Sequence, residues 1–441
     1  VRTPPRGFLQ PPRNPYSHAR TPRRSAVAPR RVACAALILA GTAAGVRGEG
    51  FRSPTTGATG LGNTGGRIAF IDDASAVFHN PANLVELPSW QASLQPTLVH
   101  HQVQYESPGG ATQSTSDPWK ILPHFFAGGP IDDDGRYALG VGLSVPFGLS
   151  IDWDPAPTDP LRYAAPRYVQ LKTFNFNPSA AVRLGEKVSL GVGFDLMWSE
   201  LTLSQFYPWS FVAGVPGLPD GDLRGQGTGM GYGGNAGVTW QIAPRHRLAA
   251  TIRTPMDVDY EGDFRVTGAP TTPDGNIVLP FGSEIRFPTM AALGYGFQLS
   301  ECVQLEADVE WLQFSRFETL PLEVPGTLPG IPGEIRQDWN DTFTAGLAAT
   351  WKFAEGWRLR GSYQYFQTPV PEETYSPSIP DANQHALAVG IGYRQGRHSF
   401  DFAYSRVFYE TRDITVNQNP AFLGRYEIDV HLFSAGYGLS F

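Results

Sequence analysis

The chain reads as an all-β protein: a transmembrane antiparallel barrel of 14 strands with its lumen plugged near the N-terminus. Three observations predict this. The last strand alternates Phe433, Tyr437 and Leu439 with Ser434, Gly436, Gly438 and Ser440, and the sequence ends on Phe441. An aromatic face beside a small polar face suits a strand with lipid outside and a lumen inside. Similar period-two segments fill the sequence from about Pro88 onward. The connections between them alternate between short and long. Short turns fall near 130–135, 184–187, 243–246, 298–301, 354–357 and 394–398. Pro/Gly-rich loops fall near 106–117, 148–165, 207–225, 267–276, 320–336, 368–382 and 410–424. Six turns and seven loops require 14 strands, with short turns on the periplasmic side.

Residues 1–48 contain nine Arg and no acid, and Arg30-Arg31 precede an apolar run from Val32 to Val46. This predicts a signal peptide with a basic extension, cleaved after Gly48 or Gly45, with residues 1 to about 24 a candidate for a misplaced start. The remaining chain has 34 − 9 = 25 basic residues against 41 acids, a formal charge of −16. That balance argues against nucleic acid as a partner. Cys34 lies in the leader, leaving Cys302 without an intramolecular partner; it is expected to be buried or lipid-facing. Residues 49–87 lack strand periodicity and form the expected hatch, and 88–441 the barrel. A barrel this wide cannot be filled by its own side chains.

Asn80-Pro81-Ala82 is the strongest local candidate in the hatch. Pro81 fixes φ, and Asn80 offers both donors and acceptors to a plug with many backbone groups to satisfy. Its bland alternative is an Asn-Pro turn ending a short helix. Gly60, Gly62 and Gly65 match a dinucleotide-loop pattern, but no strand precedes them and no βαβ unit follows. Flexibility of the hatch is the preferred account. Pro146-Phe147-Gly148 closes the third strand, marking either a bend or an ordinary strand-to-loop exit.

The loop at 206–219 should face the outside, yet holds Phe206, Tyr207, Trp209, Phe211, Val215 and Leu218. The loop at 320–332, with Leu328 and Ile331, is similar. Together they predict a greasy capture groove at the barrel mouth, against the alternative that they only cap it. In the last strand Tyr426, Ile428, Val430 and Leu432 occupy the parity that later carries Ser and Gly. Either a bulge shifts the register, or the outer lumen is apolar and forms a pocket.

Asp132-Asp133-Asp134 reads as a solvated turn. His79 and His100-His101 lack metal-site spacing, so no metal and no cofactor are expected. The hydrolase elbow GxSxG is absent, and the chain is not expected to be an enzyme. A lipase-like outer-membrane enzyme and a non-specific porin or adhesin remain as alternatives.

The hatch stretch, with Asp72-Asp73, Ala74-Ser75-Ala76 and Asn80-Pro81-Ala82, resembles that of the FadL family of outer-membrane long-chain fatty-acid and hydrocarbon transporters. So do "VPFGL" at 145–149, "NPSAAVRL" at 177–184, "TIRTPMDVDYEGDF" at 251–264, "DVEWLQFSRF" at 308–317, "QDWNDTF" at 337–343 and "TPVPEETYSPSIPDANQHALAVGIGY" at 368–393. No one motif is specific; their order and spacing are. The resemblance implies a monomeric, passive importer of hydrophobic small molecules, surrounded by outer-membrane lipid and lipopolysaccharide, with a lateral exit where the third strand bends. It also implies basic residues near the end of the fifth strand and the start of the tenth in fatty-acid transporters. This chain has Gln205 and Asn340 there, so a neutral hydrocarbon or lipid-like substrate gains weight. Arg162, Arg167, Arg253 and Arg336 are candidate substitutes for the missing charge.

Overall fold

The computed structural model describes residues 1, 49–326 and 331–441. The leader read at 2–48 and Leu328 therefore lie outside the described residues. The rest forms one closed antiparallel wall. Its spanning strands are β1 (Gln91–Leu94, Thr97–Glu106), β2 (Thr112–Ser114, Trp119–Leu122, Phe125–Pro130), β3 (Tyr137–Ser144, Gly148–Asp152), β4 (Tyr168–Leu184), β5 (Val188–Tyr207), β6 (Gly221–Ala243) and β7 (His246–Arg253, Met256–Thr267). There follow β8 (Asn276–Phe287, Met290–Ser300), β9 (Val303–Leu312), β10 (Thr342–Ala354), β11 (Trp357–Phe366), β12 (Gln384–Gln395), β13 (His398–Tyr409) and β14 (Gly424–Ser440). Each pairs with its sequence neighbours, and β14 returns to β1 from Gln91↔Ser440 to Glu106↔Arg425. Closure matters because lipid offers no partner for an unpaired strand edge.

The two faces separate as the alternation requires. Val192, Phe194, Leu293, Val309, Leu347 and Val389 point out and stay exposed. Near the periplasmic turns Tyr137, Trp240, Tyr295, Trp351, Trp357 and Tyr437 make an aromatic belt, where amphipathic rings bridge hydrocarbon and headgroups. Each predicted turn and loop contains a connection between strands, but the strands run further than expected: Gly148–Asp152 of β3, Thr112–Ser114 of β2 and the start of β6 at Gly221 lie inside predicted loops. Asp132 accepts bonds from the Arg136 and Tyr137 amides, so its charge caps a turn.

Two expectations change, and one open alternative is decided. Cys302 is neither buried nor lipid-facing; it lies exposed in the turn between β8 and β9, its Sγ 3.3 Å from Ser300 Oγ. Pro146-Phe147-Gly148 interrupts β3 rather than ending it, because the strand resumes at Gly148 and pairs with β4. No bulge shifts β14: its pairing with β1 and β13 runs in unbroken register. Tyr426, Ile428, Val430 and Leu432 therefore face inward, and the outer lumen is apolar.

Inside the wall sit helices α1 (Gly57–Gly62) and α2 (Ala76–His79) and a 3-10 turn at Pro81–Glu86. Asn80 ends α2 and caps the 3-10 turn, accepting the Ala82 amide on Oδ1.

Candidate functional site

The site begins at the break in β3. Pairing between β2 and β3 stops at Phe125↔Leu143. Beyond it, Trp119–Leu122 of β2 forms its ladder with β1, and Gly148–Asp152 of β3 forms its ladder with β4. Proline cannot donate to a ladder, and Pro146 stands where the two strands part. One bond, Ser116 N to Asp152 O at 2.7 Å, bridges the two strands again at the outer end.

The N-terminal segment at 49–53 docks on the break from inside. Ser53 N donates to Pro146 O at 3.1 Å and Gly148 N to Phe51 O at 2.9 Å. The Phe51 ring sits edge-on to Phe147, Phe287, Phe314 and Phe317, at 5.4–6.0 Å between centroids, and tilted against Trp339 at 5.0 Å. Gly50 N donates to Asp381 at 2.9 Å. Burial pushes the Asp381 carboxyl up to about 6 despite the Thr368 and Gly50 bonds. Glu49 is pushed up to about 7, again by burial first, with Arg52 opposing. Sequence reasoning missed Phe51: a single aromatic in an irregular segment gives no periodic signal.

Two apolar cavities meet at this segment. The outer one, about 910 Å³, is lined by Phe51, Leu203, Phe206, Phe211, Phe281 and Ile331 among others. The second, about 550 Å³, is lined by Gly50, Arg52, Ser53, Ile121, Gly148 and Val430, among others, and so lies along the gap between β2 and β3. Leu149 and Leu171 line both. Ile428 is buried in the same apolar core without lining the second cavity.

The loops of the mouth divide their work. Tyr207 and Trp209 are buried with Phe264, Val266 and Phe281, and Leu218 and Ile331 pack against them. Trp209 Nε1 donates to Thr267 O at 2.7 Å. These residues build the wall. Phe211, 86% exposed, and Val215, 49% exposed, project outward. The loop at 320–332 contributes a short hairpin, Thr319–Pro321 with Glu334–Arg336.

Below the cavities the lumen is polar and tightly filled. Asn80 Nδ2 donates to Ile68 O (2.8 Å) and to Thr239 Oγ1 (3.0 Å), and Thr239 donates to Asn83 Oδ1 at 2.8 Å. The Asn80-Pro81-Ala82 turn thus rivets hatch to wall. Glycines in the wall permit this approach: a Cβ on Gly237 would stand 2.1 Å from Asn80 Oδ1, and one on Gly191 2.3 Å from the Ala82 amide. Gly60 and Gly62 likewise face His79 and Arg360 closely, so tight packing explains them better than flexibility. Glu306 on β9 accepts the amides of Ile68 (2.7 Å), Ala69 and Phe70 (3.1 Å). Asp308 accepts that of Arg67, and Glu310 pairs with Arg52 at 2.8 Å and Arg67 at 3.3 Å. Asp72 pairs with Arg358, and Asp73 accepts the Ser75 amide at 2.8 Å. The small spaces left here are about 30–50 Å³, the size of a water or two.

The charge that would hold a carboxylate is already taken. Arg162 pairs with Asp220 and Arg167 with Asp222. Arg253 is buried against Asp195, and Arg336 pairs with Asp338. Gln205 does line the outer cavity, its Nε2 spent on Tyr163 O at 2.7 Å. Asn340 does not: it is exposed on the rim, its backbone amide bonded to Pro369 O at 2.9 Å, because the chain turns outward before β10.

A closed, lipid-belted barrel with a plugged lumen and an apolar path above the plug is an outer-membrane transport protein by construction. Comparison agrees. The profile of the outer membrane protein transport protein family (OMPP1/FadL/TodX) matches residues 39–441, and the chain belongs to that family. It is 25% identical to a long-chain fatty acid transport protein of Escherichia coli, over 78% of this chain and 83% of the relative. The crystal structure of a Pseudomonas aeruginosa FadL homologue superposes with TM-score 0.76 at 24% identity, covering 89% of this chain and all of the homologue. The toluene transporter of Ralstonia pickettii superposes with TM-score 0.67 at 18% identity, covering 88% and 99%.

Proposed function

We propose that this barrel takes up neutral, hydrophobic small molecules without an energy source and releases them sideways into the membrane. Substrate enters the outer cavity past Phe211 and the mouth loops, passes the docked segment at 49–53, and leaves through the gap between β2 and β3. One observation carries the reading: the two apolar cavities abut, with Leu149 and Leu171 in both and Phe51 beside them. The driving force is removal of apolar surface from water, ~25 cal/mol per Å². The polar, water-sized spaces below the cavities offer an apolar molecule nothing of the kind, which favours the wall over the hatch as the exit. Long-chain fatty acids, the cargo named for the Escherichia coli relative, would bring a carboxylate to cations already paired with aspartates. A neutral molecule such as the toluene named for the Ralstonia relative meets no such cost.

The test is uptake of a labelled alkane and of a labelled fatty acid by cells with and without the gene, and with Gly148→Trp. Gly148 lines the lateral cavity with no atom closer than 3.4 Å to an added Cβ, so an indole there fills the exit. Faster alkane uptake with the wild-type gene, abolished by the indole, is expected. Equal uptake with and without the gene removes the transport reading, and full uptake through Gly148→Trp removes the lateral route.

A further inference from the structure

We propose that the outward face where β13, β14, β1 and β2 meet docks a phosphate of an outer-leaflet lipopolysaccharide, and that Arg406 is the group that recognises it.

The register of four strands sets one row of side chains across this face. Arg406 on β13 pairs with His431 on β14, His431 with His100 on β1, and His100 with Trp119 on β2. The row has the outward parity, opposite to the buried Val407 and Val430. The next outward row toward the periplasm is Tyr404, Phe433, Leu98 and Ile121, all aromatic or aliphatic. The row of Arg406 therefore stands at the outer edge of the lipid-facing band, where headgroups begin.

The row is built by its own contacts. Arg406 pairs with Asp429, donates to His431 Nε2 at 2.6 Å and to Val430 O at 3.5 Å, and lies over the Phe408 ring at 5.3 Å. His431 Nδ1 is 2.8 Å from the Tyr404 hydroxyl, and His100 meets the Trp119 ring edge-on at 4.8 Å. These contacts fix the row and leave it reachable: the Arg406 and His431 side chains are 27% and 33% exposed, and Trp119 is 49% exposed. A guanidinium offers five N–H donors in a planar fork that suits phosphate. Its three acceptors among the described residues do not exhaust them.

The far side of the barrel repels the same ligand. On β7, just outside the break at Pro255, Asp257, Asp259, Glu261 and Asp263 are all exposed, with Arg316 pairing the first at 3.0 Å. A phosphate there meets like charge. An anionic headgroup is thereby directed to the side that holds Arg406. Trp119 also lines the 550 Å³ cavity, so the docked lipid stands at the lip of the gap between β2 and β3.

The test is equilibrium binding of bisphosphorylated lipid A, and of its dephosphorylated counterpart, to the full barrel in a neutral detergent. Divalent cations are chelated, so that carboxylates cannot hold phosphate through a bridging metal. Arg406→Gln is expected to weaken the phosphorylated lipid about tenfold and to leave the dephosphorylated one unchanged. Asp429→Asn removes the carboxylate that competes for Arg406, and is expected to tighten the phosphorylated lipid. A pair that only holds the strands together would make the two variants alike. Phosphorylated-lipid binding that ignores Arg406→Gln, or that both variants weaken equally, overturns the inference, as does wild-type protein that binds the two lipids equally well.

Discussion

The outer and periplasmic halves of the lumen are built from the same strands but obey opposite rules. On β14 the inward parity reads Tyr426, Ile428, Val430, Leu432 near the outside, then Ser434, Gly436, Gly438, Ser440 toward the periplasm. On the opposite wall Leu201 and Leu203 give way to Asp195 and Asn175, which is bonded to it at 2.6 Å. The outer half keeps two apolar cavities of about 910 and 550 Å³. The periplasmic half is filled by a hatch bonded to carboxylates and amides of the wall. The difference teaches where selectivity resides. Among the described residues, the large apolar spaces lie on the outer side of the hatch, and the spaces within it are small and polar.

The boundary between the halves is the first place to break the comparison. Phe51 touches five aromatic rings and lines the outer cavity, while its neighbours Gly50, Arg52 and Ser53 line the second. Phe51→Ala removes that packing, and truncating a buried Phe costs ~3–5 kcal/mol. The segment at 49–53 should undock, not the barrel. Hydrogen exchange at the Gly50 and Ser53 amides, now bonded to Asp381 and Pro146, should then accelerate by on the order of a hundredfold or more. Protection equal to wild type would mean that the backbone bonds alone hold the segment.

The periplasmic half breaks at a glycine. Gly237→Val places a Cβ against Asn80 Oδ1, the atom that caps the 3-10 turn, on the side chain whose Nδ2 donates to Thr239. Overpacking of this kind costs ~1–3 kcal/mol. Its expected effect is a hatch that dissociates from the wall part of the time, seen as ion-conducting bursts in planar bilayers where the wild type is closed. A silent variant would show that Asn80 can yield without freeing the plug.

The two halves also differ in how far the sequence alone discloses them. Alternation exposes the strands, the turns and even the apolar outer parity of β14, because each depends on neighbours two residues apart. Asn80-Pro81-Ala82 stands out because an Asn-Pro step in an irregular plug demands a hydrogen-bonding role. The anchor of the hatch was half visible. Glu306, Asp308 and Glu310 share one face of β9, and Arg52 and Arg67 are the basic residues of 49–87. Three carboxylates turned into a lumen need partners. The amides of Ile68, Ala69 and Phe70 supply them to Glu306, the Arg67 amide to Asp308, and the Arg52 and Arg67 guanidiniums to Glu310. Phe51 was invisible because its role comes from rings assembled across distant loops, which no local period encodes. Asn340 was misplaced because strand ends are read only to within a turn, and one exposed residue at a rim lies close to a buried one.

The docking of 49–53 also carries a pH dependence. Asp381, which accepts the Gly50 amide, is pushed up to about 6 by burial, with Thr368, Gly50 and Arg412 opposing. Glu49 is pushed up to about 7 by burial, with Arg52 and Arg67 opposing and Glu310 adding to the rise. When the segment undocks, both carboxyls meet water and return toward ordinary values near 4. The docked form therefore holds more protons than the undocked form between about pH 4 and pH 7. Raised values mean that docking is fully supported below that window and weakens as pH climbs through it. Between pH 5 and pH 7.5 the docked-to-undocked ratio should fall by about tenfold through Asp381 alone and further through Glu49, read as faster exchange at Gly50 and Ser53 after correction for the intrinsic rate. Asp381→Asn stays neutral throughout and should remove the roughly tenfold Asp381 share while leaving the larger Glu49 share. A ratio that rises with pH would reverse the sign and mean that both carboxylates are ionised in the docked segment, held by Arg52 and Arg412.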